Sequence, residues 1–186
     1  LSSFMLSERM ASFGFQTAPY PTEKKVEYLL RFKPAALVIS PAFLTRFQAL
    51  LEQRGVLPAR DLPQMKAIFI AGESYSIDWA QRSLAFWGTR ISEWYGLMQS
   101  GMNMCISCEH GILPEGRRGP LHMMEHRFLC EILRPQTNEH VEPGEEGEMV
   151  ITPLSREAFP VMRFRTGDKV RLLAEPCSCG RPFACM

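Results

Sequence analysis

No apolar run in this sequence approaches the roughly 20 residues a helix needs to cross a bilayer. Charge of one sign is lacking too. With 21 Lys and Arg against 20 Asp and Glu the formal charge is +1, which gives no electrostatic case for nucleic acid or an anionic membrane. The opening "LSSFMLSERM" has no basic end followed by a long apolar stretch, so no secretory signal is read there. The cytoplasm is therefore the expected compartment. Repeats and low-complexity tracts are absent. So is an initiator Met, and the expectation is a piece of a longer chain.

What is present is ordinary for a soluble globular protein: 46% apolar residues, 22% charged, over 186 residues. That length allows a sizeable core in one domain or a domain and a half. Six cysteines stand out, Cys105, Cys108 and Cys130 in one region and Cys177, Cys179 and Cys185 closing the chain. In a reducing compartment they read as core thiols or metal ligands rather than disulfides.

Helix and strand alternate from about Thr22 to Leu97. "EKKVEYLLRF" has apolar residues at Val26, Leu29 and Leu30, a helical spacing, with Thr22 as N-cap and Pro34 as stop. "AALVIS" reads as a short buried strand. "PAFLTRFQALLEQRG" reads as a helix opened by Pro41, closed by Gly55 and apolar at Phe43, Phe47 and Leu50/Leu51. Strand "MKAIFIAGE", helix "IDWAQRSLAFWG" and strand "RISEWYGL" follow. This alternation predicts a mostly parallel, helix-covered sheet, with ligands gathering at the carboxyl ends of its strands. After Ser100 come short strands and turns without helical period, "FLCEIL", "GEMVITP", "PVMRFRT" and "KVRLLA". The fold class expected is thus α/β, with a nucleotide-binding part over 1–100 and a small antiparallel β subdomain over 101–186.

"FRTGD" reads as a turn in which Gly167 allows the reversal and the Asp168 carboxylate can accept two hydrogen bonds from a vicinal diol such as a ribose. Alone it fits an ordinary hairpin corner with a solvated Asp better. "WYGL" puts a flat aromatic face, Tyr95, beside backbone exposed at Gly96, suited to stacking on a base, although a core anchor has the same look. "IAGES" offers backbone at a Gly turn.

The order of these stretches says more than each alone. "IAGES", "WYGLMQSG", "PGEEGEMVITPL", "MRFRTGDKVRL" and "CSCGR" resemble the adenylate-forming acyl-CoA ligases, specifically the phenylacetate–CoA ligase branch, and the resemblance reaches back to "TEKKVEYLLRFKPAALVISPAFL". It implies that Ala71, Gly72 and Glu73 line the adenine edge, that Tyr95 stacks on adenine with Gly96 admitting the nucleotide, and that Asp168 grips the ribose hydroxyls. Arg165 either supports that stretch or approaches a phosphate. Gln99 stands where the family usually has the Glu that helps hold magnesium, and a neutral amide is a poorer ligand for a hard cation than a carboxylate. The family's phosphate loop is expected upstream, and its C-terminal domain with the catalytic Lys beyond Met186, so the piece alone is not expected to catalyse.

Zinc asks for about four soft ligands in a tetrahedron, and the candidates are Cys105, Cys108, His110, His122, His126, Cys177 and Cys179. The resembling branch implies Cys108, His122, Cys177 and Cys179, a closed structural set; His110 or His126 for His122, and Cys105 for Cys108, are the alternatives. Packed, reduced core cysteines are the plain reading. Cys130 reads as core, His140 as solvated, and Cys185 has no assignment.

The function expected is that of an acid–thiol ligase, in which ATP activates a carboxylic acid as its adenylate and coenzyme A captures the acyl group. Expected cofactors are ATP/AMP, magnesium and structural zinc; expected partners are small molecules, with no nucleic acid or membrane and a homodimer left open. A non-catalytic nucleotide- or zinc-binding relative is the alternative, as is a ligase with another acceptor.

Overall fold

The computed structural model describes residues 12–186; the opening stretch searched above for an export signal lies outside them. The described chain falls into two units, one ending at Ile91 and the other beginning at Ser92.

In the first unit, helix α1 (Thr22–Phe32) buries Val26 and Leu29. Its N-cap is Pro21 rather than Thr22, because Pro21 is extended (ψ 157) while its carbonyl already accepts from Lys25 N. Strand β1 (Ala36–Ile39) and strand β2 (Ala67–Ala71) pair in parallel, Ala36 opposite Ala67 through Ile39 opposite Ile70. A parallel pair needs a crossover. Here it is made by helix α2 (Pro41–Gln53) and the single turn α3 (Pro58–Asp61). Ser40 caps α2 through Phe43 N, with Pro41 at its first position. Helix α4 (Ile77–Trp87) follows β2, capped by Ser76 on Trp79 N and ended by Gly88 in the left-handed region.

Two expectations are corrected here. The buried face of α2 is Leu44, Phe47 and Leu51, at the three- and four-residue spacing of one helical stripe. Phe43 lies at the stripe's border, 37% exposed, where it takes the cations of Lys25 and Arg46 against its ring. Strand β1 is not buried: Ala36 and Val38 are exposed and only the alternate residues are half covered. β2 is the buried strand, with Ile68 and Ile70 wholly inside. An apolar strand at a sheet's end has one neighbour, and sequence composition does not say which strand that is.

Strand β3 (Arg90–Leu97) leads into the second unit. It pairs antiparallel with β4 (Met102–Ser107), and β4 with β5 (Leu121–Met123). A separate antiparallel sheet has the order β6 (Phe128–Leu133), β7 (Glu146–Pro153), β8 (Phe164–Arg171). Met104, Cys105, Met123, Phe128, Met149 and Ile151 form the core of this unit. The architecture is therefore α/β: helix-flanked parallel strands, then antiparallel sheet.

Strand β8 corrects a further expectation. "RFRT" and "KVRL" are not two strands about a turn; they form one strand with a bulge. Val150 faces Arg165 and Glu148 faces Lys169, so Met149 alone faces Thr166, Gly167 and Asp168. Gly167 takes φ +79, the left-handed conformation such an insertion requires. Bulges re-aim side chains, and this one carries Asp168.

Gly147, on β7, is held by contact rather than conformation. A Cβ there would lie 2.7 Å from Ile132 Cγ2 and 2.8 Å from Leu133 O. Gly147→Ala is therefore expected to destabilise the β6–β7–β8 sheet by about 1–3 kcal/mol, the usual scale of overpacking. Hydrogen exchange of β6 and β7 amides reads it, and unchanged protection would contradict the clash.

Candidate functional site: a strand-end carboxylate and a cysteine–histidine cluster

Tyr95 and Asp168 meet. The Tyr95 hydroxyl donates to Asp168 Oδ2 at 2.6 Å, across 73 positions of sequence. Burial, and then the Asp168 carboxylate beside it, hold the phenol above its usual range, so it remains a donor. Tyr95 sits at a bulge of its own, where the β3–β4 register shifts between Tyr95 and Gly96. From the other side the β8 bulge is braced: Thr166 Oγ1 donates to Met149 O and accepts from Asp168 N, while Glu148 accepts from Gly167 N.

Arg165 belongs to this bracing. It reaches Glu148 at 2.8 Å and donates to Thr137 O at 2.8 Å. The hydrogen bond from Arg165 lowers the Glu148 carboxyl below its usual value.

Gln99 lies in the exposed turn after β3, where its backbone carbonyl accepts from Arg156. The same guanidinium donates to Ala158 O and lies close to Gly101. A neutral side chain in a turn whose carbonyl already faces a guanidinium is unsuited to a hard divalent cation.

Ala71, Gly72 and Glu73 end β2 in the first unit, with Gly72 at φ +89. Glu73 Oε2 accepts from Ala42 N at 3.0 Å. That donor is one of the unpaired N–H groups opening α2, where a carboxylate also meets the helix dipole favourably. The Glu73 side chain thus fixes the β2 end to α2 and leaves the Gly72 backbone exposed.

The four residues Cys108, His122, Cys177 and Cys179 bring their ligand atoms within 4.8 Å of one another. Cys108 directly follows β4, and His122 is central in β5, opposite Ile106. Cys177 and Cys179 lie in the loop after β8, in a turn closed by Gly180 N on Cys177 O. Cys108 Sγ is 3.8 Å from Cys177 Sγ, and Cys179 Sγ is 3.4 Å from His122 Nε2. Zn–S bonds of ~2.3 Å and Zn–N bonds of ~2.0–2.1 Å at tetrahedral angles imply separations of about 3.8 and 3.6 Å. The donor set and its spacing fit zinc.

The electrostatics are mixed: an ion would have to displace the proton of one buried thiol, while a second thiol and the imidazole are poised to ligate. Burial pushes the Cys108 thiol up to about 11. Cys179 is held below its usual value although burial opposes it, through hydrogen bonds from the Arg181 backbone, Cys177 and the Arg181 guanidinium. His122 is lowered by burial and then by the Arg181 charge, which keeps the imidazole neutral and able to ligate. Arg181 is itself paired with Glu109.

The alternatives lie elsewhere. His110 Nε2 meets Ser178 Oγ at 3.0 Å, His126 packs beside Phe183, and Cys105 is wholly buried in the core of the second unit. Cys130 is only half buried, and burial raises its thiol to about 11. His140 is exposed, 3.6 Å from Glu131. Sequence reasoning missed Cys185, 3% exposed, whose Sγ lies 3.3 Å from His122 Nδ1. Its placement comes from the last residues pairing along β5, for which "FACM" carries no periodic signal.

No protein-family model matches the chain. Solved structures of 2-hydroxyisobutyryl-CoA ligase match it along 96% of its length: the postadenylation state in complex with 2-HIB-AMP at TM-score 0.82 and 20% identity, and an open conformation in complex with 2-HIB-AMP and CoA at 0.81. The chain covers 37% and 38% of those proteins respectively. The fold is that of the adenylate-forming CoA ligases. In sequence, the chain is 33% identical over 169 residues to the phenylacetate–coenzyme A ligase of Pseudomonas putida, 90% of this chain and 36% of that one. It is 32% identical over 156 residues to the enzyme of the same name from Aromatoleum evansii, 82% of this chain and 33% of that one. In sequence the chain is thus similar to the phenylacetate–CoA ligase branch of that superfamily, and it spans about a third of the length of the curated relatives it matches.

Proposed function

We propose that the protein carrying this chain is an AMP-forming acid–thiol ligase acting on a carboxylic acid, with aryl acids such as phenylacetate the first candidates. A carboxylate oxygen attacks the α-phosphorus of ATP and pyrophosphate leaves. The coenzyme A sulfur then attacks the acyl carbon, and AMP leaves with the electron pair of the broken C–O bond. The observation that carries this reading is the meeting of Tyr95 and Asp168 at 2.6 Å.

The residues of this chain bind and orient. Asp168 accepts from the ribose hydroxyls, and the Tyr95 hydroxyl on Oδ2 sets the angle at which the carboxylate does so. The Tyr95 ring offers a face to adenine beside Gly96. Arg165 is committed to Glu148 and Thr137 O, so its role is to hold the Asp168 bulge rather than to reach a phosphate. Rigid placement of this kind is most of what such a reaction asks of a protein.

Cys108, His122, Cys177 and Cys179 would hold zinc. Four protein ligands would leave no open position, so these residues would use the ion to tie together the segments that carry them rather than for Lewis-acid chemistry. Magnesium is not suited by Gln99, and no step is assigned to it there. Free thiols throughout the described residues suit a reducing compartment such as the cytoplasm.

The neutral Gln99 favours a second reading, a nucleotide- and zinc-binding relative without catalysis. ATP–pyrophosphate exchange by the full-length protein, across aryl and aliphatic acids, separates the two. Exchange that depends on one acid is expected and would name the substrate. Its absence from folded, zinc-loaded protein would leave the binding reading, with Gln99→Glu the first variant to restore exchange.

A further inference from the structure

His122 presents two nitrogens to two different surroundings. Nε2 faces Cys179 Sγ at 3.4 Å within the ligand cluster. Nδ1 faces Cys185 Sγ at 3.3 Å, a thiol that also hydrogen-bonds Cys177. Cys185 lies outside the four-residue set and has no part in the nucleotide site.

The tail around Cys185 is built onto β5. Leu121 N donates to Met186 O, Met186 N to Leu121 O, and Met123 N to Ala184 O, so His122 and Cys185 face each other as an antiparallel bridge. Leu173 N donates to Cys185 O, tying the tail to the segment after β8 as well. The Ala184 N–H is taken by Glu125 Oε2 at 3.1 Å. Cys185 therefore has a fixed backbone on both sides, and its side chain is buried.

Donors and acceptors around the ring follow from this geometry. An imidazole that ligates through Nε2 carries its proton on Nδ1. Nδ1–H then donates to Cys185 Sγ, and the thiol hydrogen is free to donate to Phe183 O at 3.5 Å. A metal-bound histidine almost always gives its second N–H to such a partner, which fixes tautomer and ring angle.

We propose that Cys185 is a positioning residue of the metal centre, its thiol holding the His122 ring so that Nε2 points at the ion. The proposal rests on the zinc reading above. It adds that the tail Phe183–Met186 is part of the centre: whatever docks or frees the tail changes how well His122 ligates.

The test uses the full-length protein, with zinc competed against a chromophoric chelator. Cys185→Ala is expected to weaken zinc binding about 10- to 100-fold, the usual effect of losing a metal ligand's hydrogen-bond partner. Cys185→Ser, whose hydroxyl can accept and donate in the same place, is expected to recover most of that loss. Cobalt substituted for zinc should show the same thiolate charge-transfer intensity in wild type and both variants, since Cys185 supplies no ligand. Unchanged affinity in Cys185→Ala would overturn the proposal and hand the Nδ1 proton to the Phe183 backbone, which also hydrogen-bonds the ring. A drop in cobalt–thiolate intensity would overturn it in favour of Cys185 as a direct ligand. Histidine nitrogen NMR of the zinc-loaded wild type decides the matter even if the alanine variant does not fold: His122 must be protonated at Nδ1, and metal at Nδ1 would overturn the proposal. Wild-type protein that binds no zinc is a separate outcome, and it overturns the metal reading itself.

Discussion

Protein purified without added metal is expected to contain about one zinc per chain, as a closed tetrahedral set of four ligands binds a single ion, and Cys177→Ser with Cys179→Ser together is expected to abolish it. The two thiols come from one turn, while Cys108 comes from just past β4 and His122 from the neighbouring β5. Removing the turn leaves two ligands, too few for a structural site. The loss should be felt in folding as well. An ion bound a thousandfold above its dissociation constant stabilises the folded state by about 4 kcal/mol. Without it, exchange should accelerate in 108–122 and 174–186 and change little in the first unit. Elemental analysis and hydrogen exchange read the two effects. Full metal content in the double variant would remove this site from the protein.

Asp168→Ala in the full-length protein is expected to weaken ATP binding by about 1–3 kcal/mol, the range for hydrogen bonds to a charged group and for a donor left unpaired, or about 5- to 150-fold. Tyr95→Phe is the informative companion. It keeps the aromatic face and removes only the hydroxyl on Oδ2, so its effect should be smaller and should shrink further with 2′- or 3′-deoxy analogues of ATP. Calorimetric titration measures both. Undiminished affinity in Asp168→Ala would put the ribose elsewhere.

Much of the first unit was legible in the sequence, because its signals are local. Pro41 marks the start of α2 because a fixed φ without an N–H suits the first helical position, whereas the Ser40 and Ser76 caps were seen only in the structure. Leu44, Phe47 and Leu51 were harder to separate from Phe43, since a helix places neighbouring residues only about 100° apart around its axis. The failure at β8 has the same root. A glycine between polar residues looks like a turn when the partner strand is unknown, and only the register with β7 shows that the chain continues as a strand, bulged at Gly167.

For the candidate site, the sequence by itself determined which chemistries were on hand: thiols and imidazoles for a soft metal, a carboxylate and an aromatic face in the order the ligases share, and a neutral Gln99 where a carboxylate is usual. Tertiary structure alone decided which of them meet. Strand pairing set His122 beside Cys108 and left His110 and His126 outside, two bulges turned Tyr95 toward Asp168, and the tail's pairing on β5 brought Cys185 to the second nitrogen of His122. Hydrogen-bond register and ligand geometry act over a few ångströms in space, and positions 57, 63 or 73 residues apart in the chain carry no local trace of that nearness.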